Sequence, residues 1–136
     1  MTGSDAASAV LPLLVIEDEP SVMAFIRTAL ERHGYSVVPA SSGVEGLDRL
    51  AADRYMGIIS DMRTPGGVSG ADVHAWIVQH RPELISRMLF TTGDTANEET
   101  AAVLRSTGVP YIEKPFRARQ LIMLVESIIG KAGARP

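Results

Sequence analysis

The chain has 136 residues, the length of one ordinary domain. Hydrophobic residues make up 46% and charged residues 21%, which excludes wholesale disorder. Cysteine is absent, which excludes disulfides, thiolate zinc sites, iron–sulfur clusters and a cysteine nucleophile, while a formal charge of −3 and only 5% aromatics argue against nucleic-acid binding.

Residues 1–10 are expected to be a flexible N-terminal segment, frayed over its small and polar first eight residues. The longest apolar run, residues 9–16, contains Pro12 and is far short of the about 20 residues a spanning helix needs. No Lys or Arg precedes it, and Glu17, Asp18 and Glu19 follow where a signal-peptide cleavage site would stand. The expectation is a soluble, cytoplasmic protein with no membrane insertion.

A continuous apolar stretch over 11–16 predicts a strand buried on both faces. Pro20 suits the first turn of a helix whose inner face is Val22, Phe25, Ile26, Ala29 and Leu30, ended by Gly34. Residues 35–40 read as a second strand. Ser42 is a candidate N-cap for a helix marked by Val44, Leu47 and Leu50. Residues 56–60 form a third strand running into Asp61, and 64–69, with Pro65, Gly66 and Gly67, a loop. Val73, Trp76 and Ile77 mark the third helix, closed before Pro82. A fourth strand covers 87–91. A polar helix over 98–106 carries a thin stripe at Ala101, Ala102 and Leu104 and stops at Gly108. A fifth strand covers 109–112, and Leu121, Leu124, Val125 and Ile128 mark the last helix. Trp76 and the methionines are read as core or partial core.

Five strands alternating with five helices imply an α/β fold with a parallel sheet covered on both sides. The flavodoxin-like doubly wound order 2-1-3-4-5 is expected, with a ligand crevice at the carboxyl ends of strands 1 and 3. Residues 11–130 would form this domain and 131–136 a C-terminal tail without an output domain.

The carboxyl ends carry the chemistry. Strand 1 ends in Glu17, Asp18 and Glu19, strand 3 in Asp61, strand 4 in Thr91, Thr92 and Gly93, and strand 5 in Glu113, Lys114 and Pro115. Carboxylates brought together repel, so such a cluster needs a cation to stay ionised. Oxygen ligands without cysteine or paired histidine favour a hard ion, Mg²⁺ above others. His74 and His80 are six residues apart and do not share a helical face as a ligand pair would. A carboxylate, Mg²⁺, a lysine and a hydroxyl are the parts that hold the oxygens of a transferring phosphoryl group.

These motifs resemble the receiver domains of two-component response regulators. The likeness lies in Leu14-Val15-Ile16-Glu17-Asp18-Glu19-Pro20, Ile59-Ser60-Asp61 with Pro65, Thr92-Gly93, and Tyr111-Ile112-Glu113-Lys114-Pro115-Phe116, and runs from Leu11 to Gly130. The resemblance implies that Asp61 is the phosphoryl acceptor. It implies a Mg²⁺ site formed by Asp18, Asp61, the Arg63 backbone carbonyl and Glu17, the last directly or through water. It gives Lys114, before a cis Pro115, the phosphoryl oxygens, makes Thr92 a phosphoryl ligand and switch residue, and makes Tyr111 the aromatic switch. Arg63 and Asp94 would flank the path of the attacking water and tune dephosphorylation, their opposite charges inviting an ion pair. The donor would be a histidine kinase or a histidine phosphotransfer protein. The output, to an unknown downstream protein, would be read on the face of helix 4, strand 5 and helix 5. Receivers usually have Met where Thr64 stands, and the stretch from Asp61 to Gly70 looks one residue longer than the common pattern.

Three other readings compete with this one. An aspartyl-nucleophile phosphatase would need a second acid two residues after its nucleophile, where Arg63 or Pro20 stands here. A flavin-type phosphate loop would not carry three acids after strand 1. A phosphorylation-independent interaction module of the same fold would be expected to have lost Asp61 or Lys114. The expectation is not an enzyme but a module acting only on its own aspartate. The expectation is either a free-standing regulator or a receiver cut from a hybrid kinase.

Overall fold

The computed structural model describes residues 10–133. The segment expected to fray, residues 1–8, lies outside them, as do residues 134–136 of the expected tail. The strands are β1 (Leu13–Ile16), β2 (Val37–Ala40), β3 (Gly57–Asp61), β4 (Met88–Thr92) and β5 (Tyr111–Glu113). The helices are α1 (Pro20–Arg32), α2 (Gly43–Ala52), α3 (Gly70–His80), α4 (Glu98–Thr107) and α5 (Ala118–Ile128). All neighbouring strands pair in parallel, in the order β2-β1-β3-β4-β5. This is the flavodoxin-like doubly wound sheet. Among the described residues no helix is long and apolar enough to cross a membrane.

Alternation along the strands divides the core. Leu13, Val15, Ile59, Leu89 and Ile112 face α1 and α5, against Ile26, Leu30, Leu121 and Val125. Leu14, Ile16, Ile58, Met88 and Phe90 face the other side, against Leu50, Val73 and Ile77. Both faces are covered, so the central strands read as unbroken apolar runs. Each fully buried Leu, Ile or Phe contributes about 1.5–3 kcal/mol.

Local signals set the element ends. Ser42 accepts from the Glu45 amide at 3.1 Å as N-cap of α2. Ser69 and Asp72 form a capping box at the start of α3. Gly108 ends α4 with φ +68°, a left-handed conformation that favours glycine.

Several expected boundaries shift. β1 begins at Leu13, after Pro12, which has no amide hydrogen for the ladder. β2 begins at Val37, because Tyr35 is a connector whose hydroxyl donates to the Gly130 carbonyl at 2.6 Å. β5 begins at Tyr111, after Pro110, which only accepts, from the Phe90 amide. A 3₁₀ turn, Pro82–Arg87, precedes β4 and takes Arg87 out of the strand. Phe25, Val44 and Met123 lie exposed rather than in the core. In α4, Thr100 is buried, Val103 and Leu104 pack against the core, and Ala102 faces solvent.

The long β3–α3 loop is anchored at both sides. The Thr64 hydroxyl donates to the Val68 carbonyl. A Cβ at residue 43 would lie 2.5 Å from that same carbonyl, so glycine lets the loop rest on the first turn of α2. Gly66 and Gly67, with φ +89° and +79°, make the turn of this loop.

Candidate functional site

The sheet delivers the predicted residues to one edge. The Glu17 amide continues the β1 ladder by donating to the Ala40 carbonyl at 3.0 Å, which fixes its side chain at the end of the strand. Asp61 closes β3 and Thr92 closes β4. The Lys114 amide donates to the Thr92 carbonyl at 2.7 Å, which brings the residue after β5 over the same edge. The Lys114–Pro115 peptide is cis.

At the centre, the Lys114 ammonium lies 2.8 Å from Glu17 Oε1 and 2.8 Å from Asp61 Oδ2. The second Glu17 oxygen accepts from the Glu19 amide at 3.0 Å. The second Asp61 oxygen accepts from the Arg63 amide at 3.3 Å. Glu17 and Asp61 are buried and Asp18 is exposed, yet one oxygen from each lies within 4.8 Å of the others. Burial pushes the Glu17 carboxyl above the usual carboxylate range, against the hydrogen bonds from Lys114 and Glu19. Burial also acts to lower Lys114, but hydrogen bonds to Asp61 and Glu17 and their charges hold its pKa above the ordinary value. One ammonium thus serves two carboxylates, and Asp18 brings a third negative charge to the rim.

This donor set fits a divalent cation. The three carboxylates are hard oxygen ligands on separate positions of two strand ends, within reach of one ion. The Lys114 ammonium offsets part of their repulsion without providing a ligand.

Thr92 is buried, and its hydroxyl oxygen accepts from the Asp94 amide at 3.3 Å, leaving its proton to donate. Asp18, Asp61, Arg63, Thr92, Asp94 and Lys114 line a cleft of about 290 Å³. A larger cleft of about 530 Å³ lies beside it, lined by Val22, Phe25, Pro115 and Phe116 with Glu19 and Lys114 at its edge. The charged chemistry is in the smaller one.

One expected contact is absent. Arg63 and Asp94 both reach the cleft, but among the described residues they make no ion pair. Asp94 instead accepts from the Asn97 amide at 3.1 Å, a local bond that begins the turn into α4. Tyr111 stands on the edge strand, 44% exposed, beside a shallow hollow with Thr95, Ala101, Leu104 and Arg105, apart from the carboxylates. Sequence reasoning missed the Glu19 amide, which orients Glu17. It also missed the Thr95–Glu113 hydrogen bond of 3.1 Å, which ties the β4–α4 loop to β5.

Residues 13–126 match the family model described as response regulator receiver domain. The response regulator MprA of Mycobacterium avium is 29% identical over 117 residues, 86% of this chain and 50% of that protein. The chain spans about half the length of the curated relatives it matches. A receiver domain protein from Clostridium thermocellum superposes with TM-score 0.76 at 27% identity, covering 88% of this chain and 94% of that one. A CheY-like receiver domain protein from Methanospirillum hungatei shares the fold, with TM-score 0.77 at 23% identity over 87% of this chain and 92% of that one.

Proposed function

The chain belongs to the response-regulator receiver family, and from that premise we propose that it takes a phosphoryl group onto Asp61 from a phosphohistidine donor, a histidine kinase or a histidine phosphotransfer protein. The observation that carries this reading is the meeting of three carboxylates and one ammonium at the ends of β1, β3 and β5. An Asp61 oxygen attacks phosphorus and the P–N bond breaks. The histidine keeps the bonding pair and leaves as neutral imidazole when its other ring nitrogen carries a proton. Glu17, Asp18, Asp61 and the Arg63 carbonyl would hold Mg²⁺, which when bound neutralises charge on the phosphoryl oxygens. Lys114 would move its ammonium from the Asp61 carboxylate to a phosphoryl oxygen, and Thr92 would donate its hydroxyl proton to another. The chemistry is confined to the protein's own aspartate.

Incubation with Mg²⁺ and acetyl phosphate, followed by mass measurement, tests this. A hydroxylamine-labile mass gain in the wild type that disappears in Asp61→Asn is expected. A wild type that gains nothing overturns the reading.

The output would be read on α4, β5 and α5. Thr92 would turn toward the phosphoryl group and Tyr111 would change its setting on the edge strand. Of the five α-helices, α4 is the most ready to move, because only Thr100 in it is buried, against three residues in each of the others. Phosphorylation is therefore expected to change amide exchange in α4 and β5. Changes confined to α1 and α2 would contradict this.

Arg63 and Asp94 would limit the access of water to the phosphoryl group. Arg63→Ala and Asp94→Ala are each expected to hasten phosphate loss, by up to about tenfold, or about 1.4 kcal/mol of barrier. Since no ion pair joins them, removing one does not already undo the other, and the double variant should lose phosphate faster than either single variant. Lifetimes within twofold of wild type in all three would remove both residues from this role.

A further inference from the structure

Thr91 is only 1% exposed, and its hydroxyl has no hydrogen-bond partner. Glu17 Oε1 is likewise without an aligned hydrogen bond, but it has the Lys114 ammonium at 2.8 Å. Among the described residues, Thr91 therefore holds the buried side-chain oxygen that has neither hydrogen bond nor ion pair. Such a group carries a desolvation cost with no local return. A valine has nearly the same shape and would avoid it.

Its position is informative. Thr91 is in register with Asp61 on one side and Ile112 on the other. In a parallel sheet, paired residues project to the same face. Leu89 and Ile59, two residues earlier on each strand, face α1 and α5, so Thr91 and Asp61 lie on that face as well. Lys114 follows Ile112 by two residues, beyond the end of β5. The unpaired hydroxyl is thus on the same side of the sheet as the acceptor, one strand away, and under the edge that Lys114 crosses. The Lys114 ammonium has three N–H groups; one donates to Asp61 Oδ2 and Glu17 Oε1 lies within ion-pair distance, leaving at least one more to donate.

We infer that Thr91 is a positioning residue of the acceptor site, whose buried hydroxyl accepts from Lys114 when a phosphoryl group on Asp61 parts the Lys114–Asp61 pair. This rests on the phosphoacceptor reading. In the unphosphorylated protein the hydroxyl is idle. When Asp61 is phosphorylated, its carboxylate charge passes to the oxygens of the acyl phosphate, and the ammonium must be re-sited among Glu17, a phosphoryl oxygen and one further acceptor. Thr91 is that acceptor, and it keeps Lys114 aimed during transfer. The cost in the resting state and the use in the transfer state fall on the same atom.

Thr91→Val and Thr91→Ser separate this role from simple packing. Thr91→Val is expected to melt about 2–4 °C above wild type without metal, because the unpaired hydroxyl is gone. With Mg²⁺ and acetyl phosphate it is expected to be phosphorylated at least about tenfold more slowly. Thr91→Ser, which keeps the hydroxyl and loses the methyl, should melt lower than wild type yet react within about threefold of it. Val at the wild-type rate overturns the inference and leaves the phosphoacceptor reading intact. Val melting below wild type overturns it too, since the hydroxyl would then have a resting partner. A wild type that takes no phosphoryl group overturns both.

Discussion

Lys114→Met is expected to destabilise the metal-free protein by about 3 kcal/mol at neutral pH, a large part of the about 5–15 kcal/mol available to a domain. The stem would be replaced by one of similar length, so packing changes little. What is lost is the ammonium that lies 2.8 Å from both Glu17 and Asp61. Removing one partner from a buried ion pair leaves the others as uncompensated charges, and here two carboxylates are left. The expected loss sits at the low end of the range because the Lys114 side chain is still 20% exposed.

The pH dependence identifies the cause. Glu17 has its folded pKa above the unfolded value of about 4.3. A carboxyl raised in this way contributes stability that is fully present below the unfolded value and is lost as pH rises through the folded one. Without Lys114, a hydrogen bond and a charge that hold Glu17 down are absent, so its folded pKa climbs further and the lost stability grows. The deficit of Lys114→Met should therefore open as pH rises through the acid range toward neutrality and close as pH falls. In wild type Lys114 itself is raised. Its stabilisation is present below about 10.4 and is lost as pH rises through its folded value, so the two proteins should also converge in strong alkali. Urea denaturation of both proteins across the acid range measures this. A deficit of equal size at acid and neutral pH would assign the effect to the stem rather than to the charge.

What could be read from residues and what could not divides along physical lines. The sheet order was legible because continuous apolar runs such as Leu13–Ile16 and their helical partners leave few parallel arrangements. The acceptor site was legible because strand ends are marked by abrupt changes from apolar to charged residues, as at Ile16-Glu17 and Ile112-Glu113-Lys114. The centre of each helical face was less so. Spacing puts Phe25 on the stripe of α1, but the stripe is wider than the buried strip, and Phe25 falls at its margin beside Phe116, with ring centres 5.9 Å apart. Ala102 and Val44 miss the interior for the same reason. The Arg63–Asp94 pair failed because sequence distance does not tell which local bonds compete. Asp94 is taken by the Asn97 amide. Thr91 reads as an ordinary β-former, and only its register with Asp61 and its lack of a partner distinguish it.

Asp18→Ala is expected to abolish both phosphorylation and stabilisation by Mg²⁺ while the metal-free fold survives. Asp18 is exposed, and its carboxylate takes part in none of the ion pairs found among the described residues. Its carboxylate lies within 4.8 Å of oxygens from Glu17 and Asp61. At that separation each like-charge contact is unfavourable by about 1 kcal/mol in a water-like dielectric. Deleting Asp18 therefore relieves repulsion and removes no packing. The apo variant should melt at or slightly above wild type. Added Mg²⁺ should raise the melting temperature of wild type, as any ligand of the folded state alone does. It should leave Asp18→Ala unmoved, because the remaining buried carboxylates are already engaged by Lys114. The melting shift with Mg²⁺ is independent of phosphoryl transfer, so it tests the ion site even where no phosphodonor is present. If apo Asp18→Ala melts well below wild type, Asp18 holds the fold together and the repulsion argument is wrong. If Mg²⁺ stabilises the variant as much as wild type, the ion binds elsewhere and the three-carboxylate site is not its seat.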